Sequence, residues 1–383
     1  MKNEVIMISD LHMGEGILSP REDFFYDKEF SELLEHYKDC ELVINGDLID
    51  FLQIVDTPDN FDPSQTEKIY GLNTEPKKSA WKVSQAIKNH KLFYESLAKF
   101  AKKNKIHIVY GNHDIDFYWP EVRKRFISEL SSIAGKNISG SIKFYNWFIY
   151  EPKRFYIEHG QQYDSVNSFC NLLYPVLPFL KDQLELPLGS FYCRYLFNVL
   201  ETKDPYADNI KPPTKYLFWM MRHKPQLILR VLFQYFPMVF KTWNKSRILT
   251  HKKEHIREVQ RKHYSAMSKL SQKTKIPFDI LMKIDDLHLP TVLESRHFLW
   301  RSFKEHFMRE PVYLRAAEKI RKLLDVETVF FGHTHQAEEH EHYINTGTWT
   351  PIIKDKKILD EQTSKQLNYA YIKGKKAELR EWE

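Results

Sequence analysis

Short apolar runs recur along the chain, and each ends in a polar motif. Val5-Ile6-Met7-Ile8 leads into Asp10-Leu11-His12, and Leu42-Val43-Ile44 into Gly46-Asp47-Leu48-Ile49-Asp50. Ile106-His107-Ile108-Val109-Tyr110 leads into Gly111-Asn112-His113-Asp114. Phe155-Tyr156-Ile157 precedes Glu158-His159-Gly160, and Thr328-Val329-Phe330-Phe331 precedes Gly332-His333-Thr334-His335. Runs this short, rich in β-branched and aromatic residues, predict buried strands. The glycines allow a sharp turn where each strand ends. Amphipathic stretches lie between them. The spacing of Val83, Ile87, Phe93, Leu97 and Phe100, with lysines opposite, predicts a helix over Trp81–Lys103. Strand alternating with helix predicts an α/β layered domain. Ligands in such folds gather at the carboxyl ends of strands, so five strand ends can converge on one cleft.

The polar motifs carry only oxygen and imidazole donors, which suit hard or borderline divalent cations. Asp10 and His12 are two residues apart and can point the same way from an extended strand end. Asp47 has two carboxylate oxygens and could bridge two metals. Asn112 offers a neutral carbonyl oxygen, and His159, His333 and His335 complete a mixed set. Two divalent ions roughly 3.5–4 Å apart can clamp a phosphate and lower the pKa of a water between them, so that hydroxide attacks phosphorus in line. His113, beside Asn112, can act on the leaving oxygen, because an imidazole titrates near neutral pH. Asp114 could orient His113. Asp50 is placed behind a ligand histidine rather than on a metal. His90 and His107 lie inside a helical stretch and a strand, and are expected to be structural.

At these residues the chain resembles the calcineurin-like metallophosphoesterases, whose pattern is D-x-H, G-D-x-x-D, G-N-H-D/E, a later histidine and G-H-x-H. The resemblance covers roughly residues 4–165 and 310–350. It implies two packed β-sheets flanked by helices, and two divalent metals, manganese first among them, with iron, zinc or related ions as alternatives. It implies that Asp10, His12, Asp47 and His335 hold one metal, and that Asp47, Asn112, His159 and His333 hold the other. A phosphorylated substrate is the implied partner. Two other readings stay open: a metal-dependent nuclease or phosphodiesterase acting on nucleic acid, and a scaffold that has kept the fold without catalysis.

At 383 residues the chain can bury a large core, and 42% hydrophobic content argues against global disorder. A net charge of +6 says little about partners. Three cysteines, Cys40, Cys170 and Cys193, without close spacing suggest a reducing compartment. No secretory signal and no long apolar run is visible, so the expected location is cytoplasmic, with peripheral attachment to the inner face of a membrane as an extension.

The family pattern leaves a long gap between His159 and His333. Residues 1–164 and 311–383 are therefore expected to form the catalytic domain, and 165–310 a mainly helical insertion or cap. Within it, residues 211–250 contain no Asp or Glu, and basic residues interrupt dense aliphatic and aromatic clusters. A second basic stretch, His251 to Lys275, looks helical. The segment could lie on an anionic membrane surface, with Arg222, Lys224 and Arg230 as candidate contacts. It could bind nucleic acid, though runs of Leu, Ile and Val suit lipid better. It could simply pack on the catalytic domain. One branch of the family hydrolyses UDP-diacylglucosamine at a membrane surface. This chain is similar to it in Ile8-Ser9-Asp10-Leu11-His12, in Leu48 and Ile49, and in carrying an inserted apolar segment. It departs in having His113 where that branch has Arg, and in its longer insertion.

Overall fold

The computed structural model describes residues 1–177, 180–203, 219–230, 253–289, 309–351 and 366–383, with single positions at 233 and 237. Most of residues 211–250 therefore lies outside the described residues.

The described strands are β1 (Glu4–Ile8), β2 (Glu41–Asn45), β3 (Ile106–Val109), β4 (Ile142–Tyr145), β5 (Phe148–Glu151) and β6 (Phe155–Glu158). They continue as β7 (Thr328–Phe331), β8 (Ala337–His340), β9 (Tyr343–Thr346), β10 (Asn368–Lys373) and β11 (Lys376–Glu381). One sheet has the order β11-β10-β1-β2-β3-β4, and the other β5-β6-β7-β9-β8. β1 to β4 are parallel to one another, as are β6, β7 and β9. Antiparallel strands close the edges: β10 and β11 on one sheet, β5 and β8 on the other.

Period-two alternation explains the layers. Val5 and Met7 of β1 meet Ile149, Phe330 and Ile344 in a core between the two sheets. Ile6 and Ile8 point the other way, into the core shared with the helices. Alternating strand and helix predicts the layering, and the two packed sheets flanked by helices are what the family resemblance implies. The helix Lys253–Thr274 matches the basic stretch read as helical. Phe169, Leu172, Met267 and Leu281, all from the expected insertion, belong to the same buried cluster as Phe51 and Leu97.

The expected helix over Trp81–Lys103 is two helices, Pro76–Asn89 and Lys91–Ala101. The five apolar positions that suggested it are all buried. The break is at His90, whose φ of −111° and ψ of 54° leave the helical region. Its ring sits between two carboxylates, Nε2 at 3.2 Å from Glu22 and Nδ1 at 3.4 Å from Asp27. Glu22 also accepts the amides of Gly14 and Phe24, so the pair fixes the loop that follows β1. Burial disfavours the imidazolium, but the two carboxylates outweigh it and raise the His90 pKa to about 9. A raised pKa gives stability that is complete below the unfolded value of about 6.5 and is lost as pH rises through 9. Chemical denaturation at pH 6.5 and at pH 9.5 should therefore differ more in the wild type than in His90→Gln. The excess should be of order 3 kcal/mol at most. Equal pH sensitivity in the two proteins would refute this. His107, the other histidine expected to be structural, lies between Glu41 Oε2 at 3.3 Å and the Tyr145 hydroxyl at 3.0 Å.

Candidate metal centre

The carboxyl ends of β1, β2, β3, β6 and β7 meet along one edge of the two-sheet sandwich. Backbone bonds lock the first two loops together. Leu11 N and His12 N both donate to Asp47 O at 2.9 Å, and Asp50 N donates to Met13 O at 2.9 Å. The third loop joins them through Asp47, whose Oδ1 accepts His113 N at 2.9 Å. The fifth joins through Asp10, whose carboxylate accepts His333 N at 3.1 and 3.0 Å. These contacts leave no room for side chains at two glycines. A Cβ on Gly111 would lie 2.0 Å from Asp47 Oδ1, and one on Gly46 would lie 2.3 Å from the His159 ring. Gly46 also has φ +84°, but Gly111 is required by close approach rather than by a left-handed backbone.

Asp10, His12, Asp47, His333 and His335 themselves have positive φ, between 50° and 67°. Each such non-glycine residue costs roughly 1–3 kcal/mol, and such strain concentrates at functional sites. Here it turns five side chains toward one point.

The ligand atoms fall into two neighbouring groups, Asp10–His12–His335 and Asp47–His159–His333. His12 Nε2 and His335 Nε2 are 3.1 Å apart. His159 Nε2 is 3.0 Å from Asp47 Oδ2, and His12 Nε2 is 3.7 Å from the same oxygen, so Asp47 faces both groups. His159 Nδ1 donates to Asn45 O at 2.7 Å, which leaves Nε2 as the inward atom. Asn112 Oδ1 is buried and has no hydrogen-bond partner.

The residues present fit a pair of divalent cations. Two fully buried carboxylates, imidazole nitrogens crowded on one another and an orphaned amide oxygen together need positive charge. The electrostatics say the same. Burial and the Asp47 charge push the Asp10 carboxyl up, despite nearby imidazoles. Burial alone would depress His159, but Asp47 and Asp10 raise it to about 9. A bound cation would replace those protons and hold the imidazoles neutral and the carboxylates ionised.

Asp50 lies behind this shell. Its Oδ2 is 2.5 Å from His113 Nδ1 and 3.5 Å from His12 Nδ1. Burial pushes the Asp50 carboxyl up, but the two imidazoles outweigh it and hold it well below the usual range. Asp50 is thus the carboxylate on His113. The expected pairing of His113 with Asp114 is corrected: Asp114 Oδ1 accepts Gly111 N at 2.6 Å and Oδ2 accepts Leu48 N at 2.9 Å. The two amides converge on Asp114 because it staples the second and third loops. Burial and the Asp47 charge push its carboxyl up to about 7.

Three neighbours had no signal in the sequence. Asp164 Oδ2 is 3.3 Å from His333 Nε2. Asn345 Nδ2 donates to Gly332 O at 2.8 Å. Asn45 holds the fourth motif twice, through its backbone oxygen to His159 and through Nδ2 to Glu158 O at 2.9 Å. Arg222 is exposed on a short helical segment, and Lys224, just after it, has its Nζ 5.4 Å over the Trp219 ring. Arg230 ends the helix Pro225–Arg230, and its side chain lies outside the described residues.

A family model for the calcineurin-like phosphoesterases matches residues 4–214. The chain belongs to that family. The match takes in the first four motifs and runs past Ser165 into the segment expected to be an insertion. It stops short of His333 and His335, which the fold nonetheless carries to the same centre. No curated protein and no solved structure matches the chain. Among the described residues, no helix is long and apolar enough to cross a membrane.

Proposed function

We propose that this chain is a phosphoester or diphosphate hydrolase that works with two divalent metals. The observation that carries the reading is Asp47 Oδ2, which faces an Asp10–His12–His335 group on one side and a His159–His333 group on the other. Two cations held there would supply charge for the phosphoryl oxygens and a nucleophile at neutral pH. Asp10, His12 and His335 would hold one, His159, His333 and Asn112 the other, and Asp47 both. Manganese is the first choice for these donors, with iron or zinc as alternatives. Asp50 fixes the His113 ring through Nδ1 and so points Nε2 away from itself. From there His113 can steady a phosphoryl oxygen or protonate the departing one. Asp114 holds the loop that carries both Asn112 and His113.

A lipid-linked or nucleotide-linked diphosphate at an anionic surface is the substrate we favour. Met221, Leu229 and Phe233 are 46%, 53% and 77% exposed beside basic residues, which suits the amphiphilic side of a membrane better than water. Burying such side chains contributes ~1.5–3 kcal/mol each at best.

One panel tests both parts. Protein loaded with manganese is given a monoester, a diester, UDP-diacylglucosamine and single-stranded DNA, with and without anionic vesicles. Cleavage of the diphosphate, faster with vesicles and slowed by salt, is expected. Degradation of DNA alone would establish the nuclease reading. No turnover of any substrate by metal-loaded protein would establish the scaffold.

A further inference from the structure

The catalytic pair Asp50–His113 has a third neighbour that comes from far along the chain. A carboxylate oxygen of Asp50, a ring nitrogen of His113 and the Cys193 sulfur all lie within 4.8 Å of one another. Cys193 is buried, and its segment is tightly held. Arg194 Nη2 donates to Gly71 O at 2.5 Å, and Asn198 Nδ2 donates to Leu52 O at 2.7 Å. Leu52, Tyr70, Leu188 and Phe191 pack with Cys193 in one cluster. The thiol is therefore placed by structure on both sides, not carried in on a loose loop.

Thiolate, imidazole and carboxylate form a donor set unlike the two groups around Asp47, which contain no sulfur. Sulfur selects zinc, cadmium and similar soft ions over manganese or magnesium. We propose that Cys193, Asp50 and His113 form a third, inhibitory site for a soft divalent cation. Binding would release the thiol proton and occupy a His113 ring nitrogen. Asp50 would then be withdrawn from His113 and from His12 Nδ1, 3.5 Å away. His113 would lose the orientation on which its action depends. Zinc above the amount the main centre needs would thus slow the enzyme through a residue outside that centre.

The inhibition rests on the hydrolase reading, whereas the binding does not, and the experiment separates them. Protein is first saturated with manganese. Cadmium is then titrated in, and the ultraviolet cadmium–thiolate band and the hydrolysis of a small soluble phosphodiester are followed together. In the wild type the band should grow with one cadmium per chain as activity falls. In Cys193→Ala the band should vanish, and inhibition by cadmium or zinc should need a concentration at least ~10-fold higher, with manganese-supported activity unchanged. Cys193→Ser should behave as Cys193→Ala does, which guards against a packing defect in either. A band that persists in both variants would assign the sulfur to Cys40 or Cys170 and overturn the site. A lost band with inhibition unchanged would mean that the soft ion acts by displacing the main metals, and would overturn the brake. A protein without turnover would fail the hydrolase reading while leaving the band to decide the site.

Discussion

Asp47→Ala should empty the centre. Asp47 is buried, its Oδ2 faces two histidines at 3.0 and 3.7 Å, and its Oδ1 accepts the His113 amide. Truncation would remove the proposed bridge between two cations, and it unhooks the loop that carries Asn112. Metal content should fall below one per chain, and kcat/KM by on the order of 10³-fold or more, about 4 kcal/mol of transition-state stabilisation. Stability supplies an independent readout. A ligand at 100 times its Kd stabilises the folded protein by ~2.7 kcal/mol, so manganese should raise the Tm of the wild type and barely move that of the variant. Asp47→Asn separates charge from shape: it can still accept the His113 amide but has lost the anion. It should fold as the wild type does without metal, and respond weakly to added metal. Full metal content or full activity in Asp47→Ala would end the two-metal reading.

The centre was legible in the sequence because its donors are local to strand ends. An apolar run followed by a short polar motif marks both where the chain turns and which atoms it presents. That is why Asp10, His12, Asp47, Asn112, His159, His333 and His335 can be read from the sequence as candidate donors, six of which the fold gathers into neighbouring groups. What the motifs could not show is the company they keep. Asp164 and Asn345 reach the ligands through tertiary contacts with no fixed spacing. Asp50 and Asp114 are both acids near His113 in their motifs, and spacing alone did not tell which faces the ring. The structure does, because the turn after β3 points Asp114 back at backbone amides. The edge strands β10 and β11 lead into no Asp- or His-bearing motif, so nothing marks them as part of the site. The break at His90 depends on carboxylates of Glu22 and Asp27, more than sixty residues away. Helical periodicity continued across it, since both helices bury the same stripe.

His113→Ala should keep its metals and lose its rate. The side chain is about one-fifth exposed while Asp50 is fully buried, so the ring is partly open to solvent and has one nitrogen fixed. Loss of a group that donates a proton to the leaving oxygen typically lowers kcat by ~10²–10⁴-fold. The loss should shrink as the leaving group becomes a better one, because a nitrophenolate departs without protonation whereas an alkoxide does not. Asp50→Asn should show part of the same pattern. It leaves His113 in place without its anionic partner, so the ring keeps its position less firmly and the loss should again be larger for poor leaving groups. Two results would reassign the residue. Equal losses on good and poor leaving groups would make His113 a phosphate clamp rather than an acid. His113 also lies in one ligand-sized group with His12 and Asp47. Loss of one metal from His113→Ala would therefore make it a ligand, and the proton for the leaving oxygen would have to come from elsewhere.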